Sequence, residues 1–318
     1  AEMAEKKLAT RAAFGATLAE LAEEGVPVVA VDADLTGSTT TKKFAAAAPE
    51  NADKLFNCGI AEQNMIDVAA GLALTGHVAY TGSFAVFGTG RAYDQIRNTV
   101  CYSNLDVKIC PTHAGVSVGP DGGSHQMLED VSLMRGLPNM RVLVPADYAA
   151  ARAAIKLAAK TPGPVYVRMG RAAVPCVYDD DVELEIGRAY VLREGSDATV
   201  VACGVEIREA LAAADMLAEE GVSIEVIDAF SVKPLDEDTI TASVSKTGCC
   251  VVAEEHSVHG GLGSAVAECL ARKNPAPCEF VGVQDRFGKS GEFEELLGYF
   301  NLDAAAIVEA VKRAMGRK

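Results

Sequence analysis

The chain has 318 residues, 49% of them apolar, and carries 44 acidic against 29 basic side chains for a formal net charge of −15. That length is too great for one ordinary domain and suits two, each with apolar content enough for its own core. A surface this acidic argues against nucleic acid and anionic membranes as partners, although a few arginines gathered in a cleft can still set a local positive field. The nine cysteines form no CxxC pair and no zinc spacing. Cys58, Cys101, Cys110 and Cys203 sit in apolar runs and Cys249 adjoins Cys250, so buried free thiols in a reducing cytoplasm are expected. No apolar run approaches the ~18 residues of a membrane span, and the opening AEMAEKKLATR has no signal-peptide core. The expectation is a soluble, cytoplasmic protein.

Helix and strand patterns alternate from the start. Apolar spacing predicts a helix over 10–24 closed by Gly25, a buried strand over 26–31 (VPVVAV), a helix over 61–75 ending at Gly76, and a helix over 91–102. A short strand over 107–110, a helix over 126–135 and a strand over 141–144 follow. The helix predicted over 147–160 has Asp147 as its cap and TPGP as its stop, and a strand is predicted over 165–169. An acidic stretch from Pro175 to about Glu194 breaks the rhythm. Beyond it, strands over 199–203, 223–227 and 249–253 alternate with helices over 206–220, 263–272 and 304–314. Such alternation implies βαβ units. The expected fold is α/β, with two domains of mostly parallel sheet flanked by helices, at 1–175 and 195–318, and a linker over 176–194.

Several segments carry more chemistry than packing requires. In FNCGIAEQNM (56–65), Glu62 opens an alanine-rich helix behind a glycine; spacing alone makes it a first-turn carboxylate favoured by the helix dipole. THAGVSVGPDGGSHQMLED (112–130) places His113, Asp121 and His125 in a glycine-rich loop after a strand, where α/β proteins put their sites. Arg11 begins the first helix, DADLTGS (32–38) follows the first strand, and YVRMGR (166–171) ends another. SFAVF (83–87) precedes RAYDQIRN. EEHSVHGGLG (254–263) offers Glu254, Glu255, His256 and His259, which out of context suggest a metal site.

In this order and over nearly the whole chain, these segments resemble the pyrimidine-binding and C-terminal domains of transketolases, which are thiamine diphosphate enzymes. The resemblance implies that Glu62 hydrogen-bonds the aminopyrimidine ring and sets the tautomer that activates the cofactor, which itself holds the hard chemistry. It implies that Phe87, with Phe84 beside it, stacks on that ring, and that Asp34 lies near the cofactor. Arg11, Ser38, His113 and Arg171, the last favoured over Arg168, would hold a substrate phosphate through guanidinium forks and hydroxyl or imidazole bonds. Asp121 would read a sugar hydroxyl. His125 would bind the ketose carbonyl end and, with Glu62 and His113, belong to the catalytic set. In the same family the segment around Glu254 serves subunit packing, which is preferred to a metal site. Two departures stand out. Gln63 and Asn64 replace a histidine often found near the glutamate, and Gly90 falls where a third aromatic is usual.

The family's Mg²⁺-diphosphate motif, Gly-Asp-Gly with a following asparagine, is missing; the nearest string is Pro120-Asp121-Gly122-Gly123 inside the loop. The chain therefore reads as the C-terminal half of a split transketolase. Its metal would be Mg²⁺ ligated by an N-terminal partner subunit bearing Gly-Asp-Gly, in an α2β2 assembly acting on phosphorylated sugars. Two related readings are a 1-deoxyxylulose-5-phosphate synthase-like enzyme and the beta subunit of a 2-oxo acid dehydrogenase; a third is a non-catalytic scaffold. His113 argues against the synthase, DGGSHQ against the dehydrogenases, and Glu62 against the scaffold.

Overall fold

A computed structural model describes residues 7–318. The larger sheet has seven strands in the order Ser231–Lys233, Arg141–Leu143, Val165–Val167, Val107–Ile109, Val78–Thr81, Val28–Asp32 and Leu55–Asn57, all parallel except the first. Val28–Asp32 is buried along its whole length, as a parallel strand covered on both faces must be. Helices Ala12–Glu23 and Tyr148–Ala159 cover one face, sharing a core that includes Phe14, Leu18, Ala151 and Ile155. Helix Glu62–Leu74 covers the other through Met65, Ile66 and Ala69. Asp147 caps its helix by accepting from Ala150 N at 2.8 Å.

The smaller sheet runs Cys278–Val283, Cys250–Ser257, Ala198–Ala202, Ile224–Asp228 and Tyr190–Arg193, with only the last antiparallel. The two sheets are not independent. Ser231–Lys233 leaves the second half of the chain to pair with Arg141–Leu143 at the edge of the larger sheet. One apolar core extends from Val29 and Met65 through Val142 to Ile227 and Val252. Part of the segment expected as linker is also structured, because Tyr190–Arg193 is a sheet edge. No helix among the described residues is long and apolar enough to cross a membrane.

Three local expectations change. The helix expected over 126–135 begins only at Asp130, because Gln126–Glu129 is spent on loop contacts, including a bridge from Met127 to Ala114. The helix expected over 91–102 starts earlier and is broken into π-turns, Val86–Arg91 and Ile96–Cys101, around Tyr93–Gln95, so Phe87 is on a helical turn. Cys58 is half-buried, whereas Cys101, Cys110, Cys203, Cys249 and Cys250 are buried free thiols.

Because six of the seven strands run the same way, the loops after Asp32, Asn57, Thr81, Ile109 and Val167 emerge at one end of the sheet. That edge is where an α/β sheet presents its site.

Candidate active site

Backbone contacts draw the loops together. Gly170 N donates to Thr10 Oγ1 at 2.8 Å and Arg11 N to Gly170 O at 3.4 Å, joining the first helix to the end of Val165–Val167. Ala114 N donates to Met169 O at 3.2 Å, and Ala85 N to Thr112 O at 2.8 Å, bringing the glycine-rich loop between them. Arg11 Nη1 donates to Ser38 O at 2.8 Å, which holds the DADLTGS loop against the same helix. Within that loop, Asp32 is fully buried and accepts from Thr39 Oγ1 at 2.7 Å, Thr41 Oγ1 at 3.0 Å and Leu35 N at 2.8 Å.

A continuous set of side chains crosses this edge. Glu62, 4% exposed, receives Arg91 Nη1 on Oε1 at 3.0 Å. The Arg91 guanidinium lies 4.2 Å from the Phe87 ring centroid. Phe87 lies nearly parallel to Phe84 at 6.0 Å, and Phe84 stacks on His113 at 3.7 Å. His125 meets Phe87 edge-on at 5.3 Å and Phe84 at 6.3 Å. A cavity of about 500 Å³ opens at Glu62 and Arg91, with Ile60 on its rim. Five residues expected in the site (Glu62, Phe84, Phe87, His113 and His125) are thus connected, and Arg91 links the first to the rest. Gly90, where a third aromatic was absent, has open space around its Cβ position; the residue that covers Phe87 is the next one.

The far end is electropositive. Burial lowers the His113 pKa to about 3, and Arg11, Arg171 and His125 push it the same way. Arg11 is itself lowered, first by burial and then by Arg171. His113 is therefore neutral near pH 7, with Nδ1 2.7 Å from Thr112 Oγ1 and its backbone at φ 60°, a conformation the surrounding loop must enforce. Charge comes from the two arginines and directional hydrogen bonding from the imidazole.

The remaining expected residues are less tightly joined. Ser38 reaches Arg11 through its carbonyl. Asp34 has an exposed side chain and φ 64°, and its N–H donates to Asn57 Oδ1 at 3.0 Å, beside the loop that leads to Glu62. Asp121 is exposed at the end of the turn Val116–Asp121, outside the ring contacts.

Arg168 and Arg171, three residues apart, do different work. Arg168 is buried, with Nε 2.7 Å from Asp130 Oδ2 and Nη2 3.2 Å from Oδ1. Tyr166 OH donates to the same carboxylate at 2.5 Å. Burial alone would raise the Asp130 carboxyl, but Arg168 and His256 hold it low. Arg171 instead faces the site, close enough to act on His113 and Arg11, and donates to Val118 O.

No group of three or more His, Cys, Asp or Glu placed to hold an ion occurs among the described residues, and Glu254 and Glu255 are engaged with backbone N–H groups. Glu254 accepts from Leu262 N at 2.7 Å and Gly263 N at 2.8 Å at the start of helix Leu262–Lys273, which suits a carboxylate at a helix N-terminus. Glu255 points across to the glycine-rich loop and accepts from Ser117 N. Sequence reasoning missed Arg91, Asp130, Gln126 and this contact of Glu255. Paired glutamates inside the apolar run VVAEEH were the one visible sign that something buried had to receive them.

The donor set fits half of thiamine diphosphate. A buried carboxylate beside stacked aromatic rings suits an aminopyrimidine.

A buried carboxylate and stacked rings at the carboxyl edge of a parallel sheet, with a second α/β domain packed against it, suit an enzyme of the thiamine-dependent class. The comparisons agree. The family described as "Transketolase, pyrimidine binding domain" matches residues 6–177, and "Transketolase, C-terminal domain" matches 187–307. The chain belongs to the transketolase family. It is 44% identical over 311 residues, 97% of this chain and 96% of the other, to a Methanocaldococcus jannaschii protein described provisionally as a transketolase C-terminal section. It is 42% identical over 301 residues, 95% of this chain and 92% of the other, to the 6-deoxy-6-sulfo-D-fructose transketolase subunit of a Clostridium species. The solved structure of a split-gene transketolase, described as an inactive β4 tetramer, matches with a TM-score of 0.89 and 48% identity, covering 98% of this chain and all of that one. This chain is a split transketolase-type subunit.

Proposed function

We propose that this chain is the pyrimidine-binding subunit of a thiamine diphosphate-dependent transketolase that moves a two-carbon ketol unit between phosphorylated sugars. It acts with a partner subunit that carries the Gly-Asp-Gly motif and its Mg²⁺, most simply as an α2β2 assembly of closed symmetry. The observation that carries this reading is the unbroken path from buried Glu62, through Phe87 and Phe84, to His113 beside two arginines. One end suits an aminopyrimidine and the other a phosphate, so a ketose phosphate would reach from one to the other.

When bound, thiamine diphosphate supplies the electron sink that lets the ketol carbon–carbon bond break. Glu62 would hold the pyrimidine ring by a hydrogen bond and Phe87 would fix its plane, Arg91 giving up its place on both when the cofactor binds. His125, at the edge of both rings, would exchange a proton with the substrate oxygens near the reacting carbon. Neutral His113 donates to a sugar hydroxyl or phosphate oxygen, and Arg11 and Arg171 neutralise the phosphate against the general negative field of the protein. Asp121 reads a hydroxyl from the exposed turn, Ser38 adds a short-range bond to the phosphate, and Asp34 lies toward the cofactor. The exposed Ile60, on the rim of the Glu62 cavity, gives the partner an apolar seat beside the pyrimidine.

The test is reconstitution. The purified chain with Mg²⁺ and thiamine diphosphate should show no ketol transfer, and adding the Gly-Asp-Gly subunit should restore it. Robust turnover by this chain alone would overturn the proposal.

A further inference from the structure

The second domain reaches into the loop that carries His113, Asp121 and His125. Glu255, near the end of strand Cys250–Ser257 and 3% exposed, accepts from Ser117 N, the second residue of the turn Val116–Asp121. The approach is close: a Cβ at Gly115, whose φ is +79°, would fall 2.2 Å from the Glu255 carboxyl carbon. The same glutamate is tied to the far end of the loop. Arg168 Nη2 donates to Glu255 O at 2.9 Å, Nη1 stands 3.9 Å from its Oε2, and Nε grips Asp130, where the loop becomes helix.

A second tie supports the first. Gln126 Nε2 donates to Val116 O at 3.1 Å and to Lys289 O at 2.9 Å, while Lys289 N donates back to Gln126 Oε1 at 2.7 Å. The loop is thus held from the second domain at its beginning and its end, besides its own internal bonds such as Gly115 N to Met127 O and Gly122 N to Gly119 O. Burial pushes the Glu255 carboxyl up to about 6; Arg168 and Ser117 oppose the rise and Asp130 adds to it. The buried Glu206 carboxyl also faces Glu255, which feels the loop, the strand and both domains at once.

We propose that Glu255 is a positioning residue for the transferase reaction: through Ser117 N it fixes the loop so that His113 and His125 meet the substrate. The proposal rests on the reading of that loop as the sugar site. It assigns the C-terminal domain a part in substrate recognition besides packing.

The experiment compares Glu255→Ala and Glu255→Gln with the natural protein. Gln keeps an acceptor for Ser117 N and the shape of the side chain; Ala removes both and leaves Arg168 with Asp130 as its remaining carboxylate. Amide hydrogen exchange is read on the purified chain, where it does not depend on activity, and kinetics on the reconstituted complex. Glu255→Ala should speed exchange over 115–126 about tenfold to a hundredfold, the range for losing one charge-assisted bond. Exchange in helix Glu62–Leu74 should stay unchanged. The Michaelis constant for sugar substrates should rise by a similar factor, with thiamine diphosphate affinity unaltered. Glu255→Gln should restore most of both. The proposal is overturned if the folded Ala variant keeps natural loop exchange, if exchange rises equally throughout the second domain, or if Gln behaves as Ala. Were the natural complex to show no ketol transfer, the function reading would fail, while loop exchange would still decide the role of Glu255 in holding the loop.

Discussion

Arg91 holds Glu62 across 29 residues of chain, its Nη1 3.0 Å from Oε1, while the same guanidinium covers the ring of Phe87 at 4.2 Å. One side chain therefore joins the carboxylate and the aromatic ring expected to grip the two aspects of an aminopyrimidine, its edge and its face. Arg91 and Phe87 lie on the same π-turn, Val86–Arg91. A fully exposed ion pair would contribute little, but here the glutamate is buried and the arginine half-exposed.

Replacing Glu62 tests the pyrimidine end. Glu62→Gln and Glu62→Ala should leave the fold intact, because the residue opens a helix already anchored by Met65, Ile66 and Ala69. Turnover of the reconstituted enzyme should fall by ~10² or more, the ordinary loss for one positioned proton-transfer group. Circular dichroism and steady-state kinetics on the same preparations check it. Near-normal turnover in Glu62→Ala would remove Glu62 from the mechanism.

At the phosphate end, Arg171→Ala should raise the Michaelis constant for phosphorylated sugars by about ten- to a hundredfold, since a charged hydrogen bond is worth ~1.5–3 kcal/mol. The constant for hydroxypyruvate, an unphosphorylated donor, should change much less. An equal loss for both donors would mean that Arg171 supports the loop through Val118 O rather than binding phosphate.

Arg168→Ala should behave differently. It takes the guanidinium from Asp130, which is fully buried and keeps only Tyr166 OH and His256 nearby, so the expected loss is about 3–5 kcal/mol of stability, seen as a lower melting temperature. Rescue in the double variant Arg168→Met with Asp130→Leu would confirm that the charge left behind, rather than lost substrate contact, is the cause. Unchanged melting with a raised Michaelis constant would reverse the roles of the two arginines.

His113 sets a pH dependence. Its folded pKa, about 3, lies below the unfolded value of 6.5, so the folded state resists the proton that the unfolded chain accepts. The stability that neutral His113 allows is complete above pH 6.5 and is lost as pH falls toward 3, at up to about 1.4 kcal/mol per pH unit. Denaturant midpoints between pH 7 and 4 should fall more steeply for the natural protein than for His113→Gln. Parallel curves would show that the imidazole is not buried neutral.

The sequence by itself determined the α/β class, a buried strand within 26–31, helices over 10–24, 61–75 and 147–160 to within a few residues, and the segments proposed to carry the site. Those are properties of local periodicity, caps and short motifs, which survive without knowledge of neighbours. The tertiary structure decided what depends on contacts between distant residues. It separated Arg168 from Arg171, because whether a guanidinium meets the buried Asp130 or the Val118 carbonyl of the glycine-rich loop is set by packing across distant residues. It paired Ser231–Lys233 with the larger sheet, a strand of three residues too short to announce itself by alternation. It also shortened the helix expected over 126–135. Gln126 and Met127 have apolar or amide side chains that suit a helix, yet their hydrogen bonds are taken by Val116, Lys289 and the Ala114 bridge. Helix propensity is a matter of a few tenths of a kcal/mol per residue, and a buried loop whose backbone polar groups need partners outweighs it.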